Sequence, residues 1–124
     1  MNPLLQPIAV IDGTLCQLTR EGTRAAVHVP LATAVVEFRR GPMCFFVREH
    51  SYGLLPGMPN LYCLDGALRL QWLAEWPLTN DPCAAIGEIH SNMLSAVSLS
   101  GVTVQLDAGT GRLLRTLVPV AAAS

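Results

Sequence analysis

Lysine is missing from this chain altogether. All eight basic side chains are arginine, set against nine acidic ones, for a net charge of −1. Without a basic face there is no electrostatic footprint for nucleic acid, and Arg39-Arg40 is the only adjacent basic pair. The lysine deficit itself fits a compositional bias of the genome. Charge of either sign is scarce: 14% of residues, where soluble domains carry roughly 25%. Hydrophobic residues reach 51%. That balance leaves more apolar surface than a small monomer hides, which argues for a homo-oligomer.

Other absences narrow the class further. No apolar run approaches the roughly 18 residues a membrane span needs. The N-terminus, Met-Asn-Pro-Leu-Leu-Gln-Pro, has neither a basic n-region nor a long apolar h-region, so no signal peptide is expected. A cytoplasmic protein is therefore the expectation. Cys16, Cys44, Cys63 and Cys83 form no C-x-x-C pair, and no His stands at finger-like spacing, which argues against zinc or another metal. Each lies in or beside a predicted strand and reads as a small, reduced, buried hydrophobe. In a secreted protein the four would allow three pairings, with nothing to choose among them. There is no phosphate loop, no dinucleotide fingerprint and no G-x-S-x-G around Ser91, Ser95, Ser98 or Ser100, so no cofactor is expected. No segment carries a convincing helical pattern.

What the chain does carry is strand after strand. Residues 102–119 alternate apolar and polar, turn on Asp107-Ala108-Gly109-Thr110-Gly111, and turn apolar again. That is the pattern of a β-hairpin. Asp12-Gly13 marks a second tight turn, between predicted strands at 8–11 and 14–19. Further strands are predicted at 24–29, 33–38, 43–49, 60–65, 68–76, 83–89 and 93–99. Arg39-Arg40-Gly41-Pro42 and His90-Ser91-Asn92 read as turns, and residues 120–124 as a small frayed tail. The run Cys44-Phe45-Phe46-Val47 is apolar on both faces, which predicts a strand covered on both sides.

Three segments repeat the order apolar, turn, apolar, proline. They end at Pro30, Pro77 and Pro119, at spacings of 47 and 42 residues. A four-stranded propeller blade takes roughly 40–50. The chain length fits one domain with repeat units at about 8–30, 31–77 and 78–119, holding three, four and four strands. The expected fold is all-β, with about eleven strands in antiparallel, four-stranded propeller-like blades, open or completed by oligomerisation.

Leu106-Asp107-Ala108-Gly109-Thr110-Gly111-Arg112 resembles the Leu-Asp-x-x-Thr-Gly-Lys turn of quinoprotein-like (PQQ-type) β-propeller blades. Asn60-Leu61-Tyr62-Cys63-Leu64-Asp65 followed by Trp72 resembles the same element. The resemblance covers about 75 residues of the two later units. It departs at Arg115, where the third unit should carry Trp, and at Thr19, where the first should carry Asp. Members close rings of about six to eight blades, so the resemblance implies a ring only through assembly of copies. It implies no quinone and no metal, because those sites belong to complete rings. Independently of it, Asp65 and Asp107 read as turn formers that accept backbone N–H groups.

Candidates for chemistry are few. His28, between Val27 and Val29, reads as an outward-facing strand residue. Glu49-His50 and Glu88-x-His90 are two Glu/His pairs that could meet in one cleft between the larger sheets, for base catalysis or small-molecule binding. The long irregular stretch at 50–59 holds two Gly and two Pro and exceeds a hairpin connection. Its Tyr52, Leu54, Leu55 and Met58 offer an apolar, adaptable contact surface for a partner protein or ligand. The expected function is a non-catalytic interaction or scaffold module; the alternative is a small-molecule binder or enzyme that uses the Glu/His cleft.

Overall fold

The computed structural model describes residues 7–119. The predicted tail at 120–124 lies outside the described residues. Eleven strands and no helix are present among the described residues, and no helix is long and apolar enough to cross a membrane. They form three antiparallel sheets, each a meander in chain order. The first holds β1 (Ile8–Ile11), β2 (Thr14–Leu18) and β3 (Arg24–His28). The second holds β4 (Val35–Arg40), β5 (Cys44–Glu49), β6 (Leu61–Asp65) and β7 (Leu70–Leu73). The third holds β8 (Cys83–His90), β9 (Met93–Ser98), β10 (Thr103–Asp107) and β11 (Leu113–Leu117). No sheet closes on itself.

The sheets stack in sequence, because strand alternation gives the middle one two apolar faces. Phe45, Val47, Tyr62 and Leu64 point towards the first sheet and meet Leu15 and Ala26. Phe46, Leu61, Cys63 and Trp72 point the other way and meet Leu94, Ala96, Val104 and Leu106 of the third. Phe45, Phe46 and Val47 are all fully buried, as a strand apolar on both faces requires. Burying each such side chain stabilises the stack by roughly 1.5–3 kcal/mol.

Several sequence boundaries need correction. Arg39 and Arg40 do not turn; they finish β4. Arg39 Nη2 and Nη1 reach the carbonyls of Ile86 and Gly87, at 3.1 and 3.3 Å, while Glu37 Oε1 takes the amide of Ile86 at 3.0 Å and Arg48 Nε at 2.7 Å. This clamp holds β4 against the irregular stretch of β8 and keeps the arginines extended. β7 is confined to Leu70–Leu73, and Leu68 takes a left-handed φ of 63° in the turn before it. His90 belongs to β8, not to the turn.

The sheets share local features. β4 and β8 each carry a bulge after the first paired residue, Val35 and Cys83 respectively. In each sheet the last strand but one (β2, β6 and β10) also shifts register near its end: at Gln17/Leu18, Cys63/Leu64 and Gln105/Leu106. That register makes Thr19, Asp65 and Asp107 equivalent. Their amides bind the carbonyls of Thr23, Arg69 and Arg112, each at 2.8 Å. Asp65 Oδ1 accepts the amides of Ala67 and Arg69, and Asp107 Oδ1 those of Gly109 and Thr110. Thr19 Oγ1 accepts the amide of Thr23 at 3.2 Å, so a hydroxyl does in the first sheet what a carboxylate does in the others.

Candidate functional site

The 50–59 loop leaves β5 at a tightly held point. Glu49 is 1% exposed, and its carboxylate takes the amides of Leu31, Ala32 and Thr33 at 2.6, 2.9 and 2.9 Å. The Tyr62 hydroxyl donates to it at 2.5 Å. Burial alone would raise the Glu49 pKa; the Thr33 amide, the Tyr62 hydroxyl and the Leu31 and Ala32 amides outweigh it and leave the pKa lowered. Burial and the Glu49 charge together push the Tyr62 phenol far up, so it keeps its proton. That single proton goes to Glu49, and His28 Nε2, 2.6 Å from the same oxygen, must then donate its own N–H. Burial lowers the His28 pKa, against the attraction of Glu49.

His28 is therefore not the outward residue its neighbours suggest. It is 8% exposed, while Val27 and Val29 stand out at 44% and 71%. Glu49 likewise faces inward, away from any cleft, and locks the 31–33 linker between the first two sheets. Asn60 does the corresponding work between the second and third. Its Nδ2 donates to the carbonyls of Glu49 and Cys83, and its Oδ1 accepts the Cys83 amide, all within 2.9 Å.

Beyond that anchor the loop folds back on itself. Thr33 Oγ1 holds the His50 carbonyl at 2.6 Å, and the Tyr52 amide donates to His50 Nδ1 at 2.8 Å. His50 Nδ1 is thus engaged as an acceptor. Gly57 turns with a φ of 80° and its amide reaches the Thr79 carbonyl, tying the loop to the 76–82 linker. That linker is itself pinned. Trp76 Nε1 donates to the Asp81 carbonyl at 2.8 Å, and the Asp81 carboxylate takes the Ser100 amide and the hydroxyls of Ser98 and Ser100. Burial would raise the Asp81 pKa, but the Ser100 and Ser98 hydroxyls and the backbone amides keep it low.

Between loop and linker lies a cleft of about 520 Å³. Leu54, Leu55, Met58, Trp76, Leu78 and Leu99 give it an apolar lining. Tyr52 is 86% exposed at its rim and Leu55 70%. Its polar side chains are those of His50, Ser51, Tyr52, Thr79 and Asn80. No carboxylate or guanidinium lines it. Such a site takes an uncharged apolar group and offers it one or two hydrogen bonds.

Of the residues singled out in the sequence, His50, Tyr52, Leu55 and Met58 line this cleft together. Glu49 sits beneath it, facing away. Glu88 and His90 are exposed at the far end of β8, whose start at Cys83 is tied to Glu49 through Asn60. At the usual strand rise that separates the two Glu/His pairs by roughly 20 Å. The structure does not bring them into one cleft, and no group of three or more His, Cys, Asp or Glu able to hold a metal occurs among the described residues. Sequence reasoning missed the second wall, Trp76 to Leu99; its only signal was the irregular, proline-flanked stretch at 77–82. The chain matches no protein-family model and no curated protein sequence.

Proposed function

We propose that this chain is a non-catalytic, self-associating interaction module of propeller-like build, and that it captures a partner in the cleft under the 50–59 loop. The observation that carries the reading is the cleft itself: an uncharged, largely apolar hollow with Tyr52 and Leu55 standing exposed at its rim. Exposed aromatic and aliphatic anchors beside a preformed hollow are the features of a recognition site. The one imidazole there, His50, has no carboxylate to orient it, which favours binding over acid–base chemistry.

Support for the propeller-like build comes from consecutive four-stranded meanders that share their turn, bulge and junction contacts, together with the resemblance of the Asp107 and Asp65 turns to PQQ-type blades. Low overall charge supports self-association. Four unpaired thiols support a reducing, cytoplasmic setting.

A neutral dye, Nile red, tests the cleft. Saturable binding with blue-shifted emission is expected from the intact protein. Tyr52→Ser and Leu55→Ser, both at exposed positions, should weaken it by roughly fivefold or more while leaving the circular dichroism unchanged. Dye binding that ignores both substitutions would falsify the assignment of the cleft.

A further inference from the structure

Each junction between consecutive sheets is made by the same device. Where the last strand but one shifts register, a pair of residues faces the next sheet: Gln17 opposite Ala26 in the first, Cys63 opposite Trp72 in the second. One member of each pair sends a side-chain N–H to the turn of the following sheet. Gln17 Nε2 donates to the Gly66 carbonyl at 2.7 Å, and Trp72 Nε1 to the Ala108 carbonyl at 3.2 Å. Gly66 and Ala108 each directly follow the turn aspartate. The indole of Trp72 also covers Gly111, which has a φ of 76°.

The third sheet carries the same pair at the same register: Gln105 opposite Arg115. Val104 and Leu106 face the second sheet, so this pair points the other way. Arg115 Nε binds Gln105 Oε1, and neither its other guanidinium N–H groups nor Gln105 Nε2 meets a partner among the described residues. The third sheet thus presents a donor half-junction with nothing described against it.

The matching half lies on the first sheet. Its Thr19 turn repeats the Asp65 and Asp107 turns, with Arg20 in the place of Gly66 and Ala108. Gly22, with a φ of 83°, stands where Gly111 stands, and among the described residues nothing lies within 4 Å of a methyl added there, whereas Trp72 covers Gly111. Glu21 adds an exposed carboxylate beside it, of the charge that Arg115 requires.

We infer that the third sheet docks head to tail on the first sheet of a second copy, with Gln105 and Arg115 reaching the Thr19 turn, the Arg20 carbonyl and Glu21 of that copy. This rests on the self-associating reading above. It goes further, because it makes the contact heterologous: each copy gives one surface and receives with another.

Sedimentation velocity on the full chain tests it with two exposed charge reversals, Arg115→Glu and Glu21→Arg. Each variant alone should self-associate about tenfold or more weakly than the unaltered protein, because each loses one half of every junction. Mixing the two should restore association, since the donor of Glu21→Arg meets the intact turn of Arg115→Glu and the reversed pair, Glu at 115 and Arg at 21, is again opposite in charge. A monomeric unaltered protein overturns self-association altogether. An oligomer that neither substitution weakens, or a mixture that does not recover, overturns this junction and leaves self-association standing.

Discussion

The indole of Trp72 lies flat enough on the backbone of Gly111 that a methyl group added to the glycine would sit 2.6 Å from Trp72 Cδ2. The two residues belong to different sheets, and the contact excludes every side chain but hydrogen at position 111. Gly111→Ala combines this overlap with a left-handed backbone, at a cost of roughly 2–4 kcal/mol. Gly22→Ala has a similar φ but, among the described residues, nothing within 4 Å of the added methyl, and should cost only about 1 kcal/mol. Urea denaturation of the two variants checks this. Equal losses would mean that Trp72 does not seat on the turn.

Stability should fall with acid in two steps. Burial holds the folded His28 pKa below its ordinary 6.5, so the unfolded chain binds a proton first and stability drops as the pH goes below 6.5. Glu49 is also lowered in the folded state; its contribution is complete above the unfolded carboxylate value and is lost as the pH falls through the lower, folded one. Both effects have the same sign. The urea midpoint should decline between pH 7 and 5, and His28→Phe should flatten that decline. A midpoint unchanged from pH 7 to 5 in the unaltered protein contradicts the buried His28–Tyr62–Glu49 chain.

Glu49→Gln should destabilise the protein at pH 7 by about 3 kcal/mol, because an amide cannot receive three backbone N–H groups and a phenol. The loss should be largely independent of salt, since the carboxylate is shielded from solvent. Denaturation at low and high ionic strength measures both.

One thiol should stand apart from the rest. Cys44 is half-buried, and the neighbouring Cys63 thiol leads the effects that lower its pKa below the ordinary thiol value, while the Cys63 thiol is pushed up. Burial raises Cys83 to about 12. Iodoacetamide should therefore alkylate Cys44 first, with a rate midpoint below that of an ordinary thiol, and reach the buried Cys16, Cys63 and Cys83 only on unfolding. Cys63→Ala should move the Cys44 midpoint upward. Peptide mapping by mass spectrometry reads both outcomes, and uniform labelling of the four would contradict the arrangement.

Strands were largely legible because turn residues such as Asp12-Gly13 and the Asp107 loop report local backbone geometry. The double-faced apolar run at Phe45 and Phe46 was legible for the same kind of reason: alternation is a local property. Phase was not. His28 could not be set inward from its neighbours, because a strand of small and apolar residues alternates equally well either way. Arg39 looked like turn material until its guanidinium found the carbonyls of Ile86 and Gly87, 47 and 48 positions along the chain. Glu49 offered a carboxylate next to a histidine, yet its partners are backbone amides that no side-chain motif announces. One wall of the cleft was readable from the composition of the 50–59 loop. The other, from Trp76 to Leu99, exists only because the second and third sheets stack.

Solution mass by multi-angle light scattering across a concentration series tests self-association, on which the interaction-module account and its junction depend. The account predicts a mass that rises with concentration to a whole multiple of 13.3 kDa. A peak that stays at 13.3 kDa at every concentration would contradict it.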